Sequence, residues 1–177
     1  MVTAGPRDEG GPLFVPRDRQ GIGRHDNPEH YGAIYLTRSP ISAVAERIQG
    51  FRGQSITNED LRRKGTDHLA LVALDERALG ELPDLDDPAE LVARALRPSQ
   101  VATRARATTR PIALGLFLDG HAGFTWWSAL EASWTNVTLF AERVLDRMTM
   151  ASEPEPLTVA HPAVRAAAEA LGVRIGR

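Results

Sequence analysis

Residues 21–46 read GIGRHDNPEHYGAIYLTRSPISAVAE, and the rest of the chain is organised around them. Arg24 lies beside two glycines. A turn follows, then a short β-like run at residues 33–37 that includes Tyr35. Ser39 suits a helix N-cap and Pro40 the first helical position, where a missing N–H costs nothing. The pattern predicts a helix over residues 40–49 with Ile41, Val44, Ala45 and Ile48 as its apolar stripe. Glu46 then falls off the centre of that stripe, able to face a cleft. It also lies near the helix C-terminus, where the macrodipole disfavours a carboxylate by a few tenths of a kcal/mol, a cost that Arg47 offsets.

Working outward, residues 1–12 are rich in Gly, Pro and charge and are expected to be a loosely ordered N-terminus, with one domain over 13–177. Residues 13–15 are a short apolar segment expected as a strand. Arg17, Arg19 and Arg24, with Gly21 and Gly23, make a basic, permissive loop better suited to an anion than to a core. Thr57 and Asp60 form a capping-box pattern for a short helix closed by Arg62, Arg63, Lys64 and Gly65. Residues 69–74 read as a buried strand.

A brief strand near Leu82 precedes an N-cap at Asp87 and a helix over residues 88–96. Ser99 is expected to cap another helix, interrupted by Pro111. Residues 112–118 fit either a kinked continuation or a strand. Strands are expected over 124–128, 136–140 and 157–159, with a final helix over 162–171 ended by Gly172. Interleaved strands and helices predict a mixed α/β fold with a central mixed sheet flanked by helices.

The chain has 177 residues, 42% hydrophobic and 25% charged, enough for one core of ordinary globular composition. A net charge of −2 gives no electrostatic case for nucleic acid or an anionic membrane as partner. With no cysteine, disulfides and thiolate metal sites are excluded. The N-terminal MVTAGPRDEGGP has no apolar core of a signal-peptide kind, and no apolar run reaches membrane-spanning length, so a cytoplasmic protein is expected.

The run GRHDNPEHYGAIYLTRSPISAVAE together with WWSALEASWTNVTLF resembles the RES domain family, the toxin half of bacterial toxin–antitoxin pairs, over residues 12–171. The resemblance implies an ADP-ribosyltransferase-like fold and cleavage of the nicotinamide–ribose bond of NAD⁺, with NAD⁺ as substrate and no further cofactor or metal. The family's arginine, glutamate and serine fall on Arg24, Glu46 and Ser128. Arg24 is expected to anchor the pyrophosphate through its planar fork, and Glu46 to stabilise the oxocarbenium-like ribose.

Ser128 is expected to fix the ribose or hold the glutamate, not to act as nucleophile. Tyr35 and Trp126 or Trp127 are candidates to stack on the nicotinamide, although aromatics in strands are commonly core. Asn136 and Ser133 are further polar residues of the same motif. The family usually carries another arginine in the first strand; its place here falls near Ala4, with Arg7, Arg17 and Arg19 as substitutes.

The acceptor stays open between phosphate, water and a protein side chain, so the activity is that of an NAD⁺ phosphorylase, glycohydrolase or ADP-ribosyltransferase. The implied partner is an antitoxin with a helix-turn-helix domain, and a second copy of the chain stays open. Two other readings are a non-catalytic RES-like nucleotide- or protein-binding module and a metal hydrolase on His25, Asp26, Glu29 and His30.

Overall fold

The structure is a computed structural model and describes residues 6–62, 68–77 and 79–176. Its elements in chain order are β1 (Ala33–Thr37), α1 (Pro40–Ile48), β2 (Ser55–Ile56), β3 (Ala70–Leu71), β4 (Leu74–Asp75), α2 (Pro88–Ala93), α3 (Pro98–Ala102), α4 (Arg106–Leu118), β5 (Gly123–Trp127), β6 (Thr135–Phe140), α5 (Ala141–Val144), β7 (Thr149–Met150), β8 (Glu155–Pro156), α6 (Pro162–Leu171) and β9 (Arg174–Ile175). The fold class is mixed α/β, as the interleaved pattern predicts. Contacts divide the chain into two units, one formed by the chain up to Leu36 with Asp75–Thr149, the other by Thr37–Leu74 with the chain from Met150 onward.

The first unit is built on a three-stranded sheet of order β1-β6-β5. β5 and β6 pair antiparallel from Gly123↔Leu139 to Trp127↔Thr135. Gly123 is required where the strands cross closely, since a Cβ there would lie 2.7 Å from Leu139 Cδ2 and 2.9 Å from Leu139 Cα. Residues 83–85 lengthen the sheet beside β5: Thr125 N–H donates to Pro83 O and Leu85 N–H to Thr125 O, both at 2.9 Å. The expected strand near Leu82 is therefore a single parallel bridge, Asp84↔Thr125.

One face of this sheet packs Phe124, Trp126 and Phe140 into a core with Tyr31, Leu85, Leu116 and Val101. Each large side chain buried this way contributes about 1.5–3 kcal/mol. The ring centroids of Tyr31 and Phe140 are 4.5 Å apart. α4 runs unbroken through Pro111, so residues 112–118 are helix. Pro111 removes only one N–H, and the core contacts of Ala113 and Leu116 beyond it hold the helix. Arg143 closes its C-terminal end, donating to Phe117 O at 2.7 Å and Gly120 O at 2.8 Å, with its guanidinium 4.6 Å over the Phe117 ring.

In the second unit α1 begins at Pro40 with Ser39 as N-cap, its hydroxyl accepting from Ile41 N–H at 3.2 Å. α1 packs on α6. Val44, Ala45 and Ile48 are buried on the first, and Ala163, Val164, Ala167, Ala168 and Leu171 on the second. Alanines at 163, 167 and 168 let the two backbones approach closely. Gly172 ends α6 at φ +67, a left-handed cap open to glycine at little cost. β2 pairs with β9 in parallel and β3 with β8 antiparallel.

Several local expectations differ from the structure. Residues 13–15 are not a strand; they lead by turns into a 3-10 turn at Arg17–Arg19. Asp60 does accept from Thr57 N–H and Oγ1, both at 2.8 Å, but the element is the single 3-10 turn Glu59–Leu61, and Arg63, Lys64 and Gly65 lie outside the described residues. Residues 69–74 hold two-residue strands, half-buried or exposed, because β3 finds only the two-residue partner β8. α2 stops at Ala93, with Ala95 at φ +54. Arg97, not Ser99, caps α3, its N–H donating to the Gln100 side chain at 2.8 Å. The strand expected over 157–159 is β8, two residues earlier.

Candidate functional site

The loop that carries Arg24 is folded onto Asp26. One carboxylate oxygen accepts the Gly21 and Gly23 amides at 2.8 and 2.7 Å, and the other accepts the Tyr35 hydroxyl at 2.7 Å. Successive glycine amides form a seat that ordinarily suits an anion, and here the chain fills it with its own carboxylate. Gly23 is required for that closeness: a Cβ would lie 2.6 Å from Tyr35 Oη and 2.7 Å from Asp26 Cγ. Both glycine amides thus bond an internal anion.

The opposite polarity of the loop is answered from α4. Arg110 donates to Gly21 O and Gly23 O, and Arg106 to Ile22 O. Burial pushes Asp26 up, but the Tyr35 hydroxyl, the two glycine amides and Arg110 outweigh it and hold its carboxyl below the usual range. Burial, then the bond to Asp26, raises the Tyr35 phenol well above its usual value. Tyr35 Oη also accepts His25 N–H at 2.8 Å, so this side chain ties β1 to the loop while its ring stays partly exposed.

Arg24 leaves this loop across the sheet. Its Nη1 donates to Val101 O at 3.0 Å and Thr103 O at 2.6 Å, and its guanidinium lies 4.6 Å over the Trp126 ring. Strand alternation puts Trp126 and Ser128 on one face about 7 Å apart, and the cross-strand pair Trp126↔Asn136 adds Asn136 to that face. Arg24, Trp126, Ser128 and Asn136 are thus gathered on one side of the first unit's sheet. Trp127, the next residue of β5, is half-buried and packs against the first unit's core cluster. Ser128 and Asn136 are both buried, and Ser128 Oγ accepts Leu130 N–H at 3.1 Å, fixing the turn that leaves β5.

His25 completes the buried layer. Its ring meets Phe124 at 4.9 Å and Trp126 at 5.0 Å, edge to face, and Nδ1 lies 2.8 Å from Thr138 Oγ1. Burial first, then the Arg24 charge, lowers its pKa to about 3, so the imidazole is neutral. The sequence reading named His25 and Asp26 only as candidate metal ligands and gave Arg110 and Thr138 no role in the site. Asp26 had a local signal, a carboxylate three residues after Gly23; Thr138 and Arg110 reach the site only through pairing and packing.

Glu46 belongs to the second unit. It lies half-buried on α1 beside the fully buried Ala45, and Gln49 Nε2 donates to its Oε2 at 3.1 Å and to its carbonyl at 2.9 Å. Ser133, in the turn after β5, bonds to Glu131 Oε1 at 3.2 Å. The three arginines considered as substitutes all have protein partners: Arg7 on Leu145 O, Arg17 on Pro28 O and Glu142, Arg19 on Glu9 at 2.8 Å. Ala4 lies outside the described residues. No group of three or more His, Asp or Glu side chains suited to a metal occurs among the described residues. His25 is turned into the core while Glu29 and His30 are exposed. No helix of the described chain is long and apolar enough to cross a membrane.

No curated protein and no solved structure matches the chain. The model of the RES domain family matches residues 6–160. Matched over that span, the chain belongs to the RES domain family.

Proposed function

We propose that this protein cleaves the bond between nicotinamide and ribose in NAD⁺. The observation that carries the reading is Arg24, immobilised over Trp126 and by two carbonyls on the sheet face that also holds Ser128 and Asn136, in a chain of the RES family. A guanidinium already held in place binds a diphosphate with little further loss of side-chain freedom. The C–N bond breaks with its electron pair leaving on nicotinamide, and positive charge develops at the ribose carbon. Glu46 is the carboxylate assigned to that charge, and Ser128 and Asn136 are the hydrogen-bonding groups assigned to the ribose. Phosphate, water or a protein side chain then attacks. The biological setting proposed is that of a toxin, restrained in the cytoplasm by an antitoxin with a helix-turn-helix domain.

Free nicotinamide, measured after incubating the protein with NAD⁺ with and without phosphate, tests this. Release by the wild type, lowered roughly a hundredfold in Glu46→Ala, is the expected result. The internal partners of Arg7, Arg17 and Arg19 favour a second reading, a nucleotide-binding module without turnover. NAD⁺ binding with no nicotinamide release under either condition would select it.

A further inference from the structure

We propose that Thr138 is a positioning residue for Arg24, and through it for the diphosphate of the substrate, because its hydroxyl fixes the indole on which the guanidinium lies. The inference rests on the NAD⁺ reading only for the identity of the ligand. Thr138 is fully buried in the middle of β6 and bridges two ring nitrogens: Trp126 Nε1 at 3.1 Å and His25 Nδ1 at 2.8 Å. An indole N–H can only donate, so it donates to Thr138 Oγ1. The same hydroxyl bonds Nδ1 of His25, as donor or acceptor according to the tautomer of the neutral ring. One hydroxyl thus satisfies two buried ring nitrogens at once.

The geometry around the indole makes that bond decisive. His25 meets the Trp126 ring at 88° and supports it from the side. The Arg24 guanidinium covers the ring face, while Arg24's own carbonyl is held by Thr109 Oγ1. The backbone and Nη1 of Arg24 are therefore anchored to α4 and to the end of α3, and the indole supports the guanidinium from beneath. Removing the Thr138 hydroxyl strands both ring nitrogens in a dry layer. The cost of an unmade buried hydrogen bond is relieved by tilting the rings toward other partners, and a tilted indole no longer offers Arg24 a flat floor.

Arg24 Nε–H in the ligand-free protein, followed by NMR with a selectively assigned arginine side-chain signal, reads the position directly, and titration with ADP-ribose reads its consequence. A sharp, slowly exchanging Arg24 signal is expected in wild type and Thr138→Ser, and an averaged one in Thr138→Val. The ADP-ribose Kd is expected to rise about tenfold in Thr138→Val, with Thr138→Ser within about twofold of wild type. Turnover at saturating NAD⁺ should change less than KM. An unchanged Arg24 signal in a folded Thr138→Val, or a Thr138→Ser as impaired as Thr138→Val, overturns the proposal. If Thr138→Val shows no cooperative melt, Trp126→Phe replaces it, since it keeps an aromatic face but cannot donate to Thr138; a retained Arg24 signal there overturns the proposal equally. A wild type that neither binds ADP-ribose nor releases nicotinamide sinks the NAD⁺ reading, while the Arg24 signal still decides the role of Thr138.

Discussion

Asp26 accepts three hydrogen bonds, and the loop that presents Arg24 depends on them. Gly23→Ala forces a methyl group against Asp26 and the Tyr35 hydroxyl and should cost about 1–3 kcal/mol of stability, read by urea unfolding. It should also cost nicotinamide release, because the loop can no longer close. His25 supplies a pH signature. Its unfolded value is near 6.5 and its folded value about 3, so the unfolded chain binds the extra proton between these limits. The stability contributed by the neutral ring is complete above pH 6.5 and is lost as the pH falls toward 3, approaching about 1.4 kcal/mol per pH unit within that window. Unfolding free energies at pH 7, 5.5 and 4.5 should show this slope in the wild type and a smaller one in His25→Gln. At this scale the sequence marked Arg24 by its glycines but not the carboxylate that their amides bond. The carboxylate that fills their seat is only five residues away from Gly21, and its orientation depends on Tyr35, which arrives from β1.

Helices were legible where caps and periodicity agreed. Ser39-Pro40 opened α1 and Gly172 ended α6 as the residues require, because those signals act through the backbone of the same few residues. Replacing Ser39 by Ala should lower stability by about 1 kcal/mol, seen as a shift in the urea midpoint with an unchanged slope. α4 was ambiguous for a physical reason: Pro111 penalises the helix locally, while the burial of Ala113 and Leu116 that outweighs the penalty comes from residues elsewhere in the chain. Pro111→Ala restores the N–H and relieves the clash, and a gain of about 1–3 kcal/mol is expected, measured as a raised Tm. The short apolar runs at residues 13–15 and 69–74 misled for the complementary reason. A strand needs a partner of equal length, and the runs themselves say nothing about which partner they meet.

Across the molecule, order is distributed unevenly. The β1-β6-β5 sheet has long pairing and a buried aromatic face, whereas β2/β9 and β3/β8 are two-residue pairs with exposed positions. Hydrogen exchange should therefore be slowest at Thr125, Thr138 and Phe140 and faster by orders of magnitude at Ala70 and Leu71; equal protection in both sets would contradict this. The sequence by itself determined the mixed α/β class, the start of α1, the two strands that become β5 and β6, and the family motif, since each is written in spacing, capping and composition along neighbouring residues. Only the tertiary structure decided that Arg24 lies on Trp126, that Asp26 occupies the glycine seat, and that Thr138 links two buried rings. Those arrangements join residues up to 113 positions apart, and contacts of that span are selected by the burial of a whole sheet face, a quantity no local stretch of sequence contains.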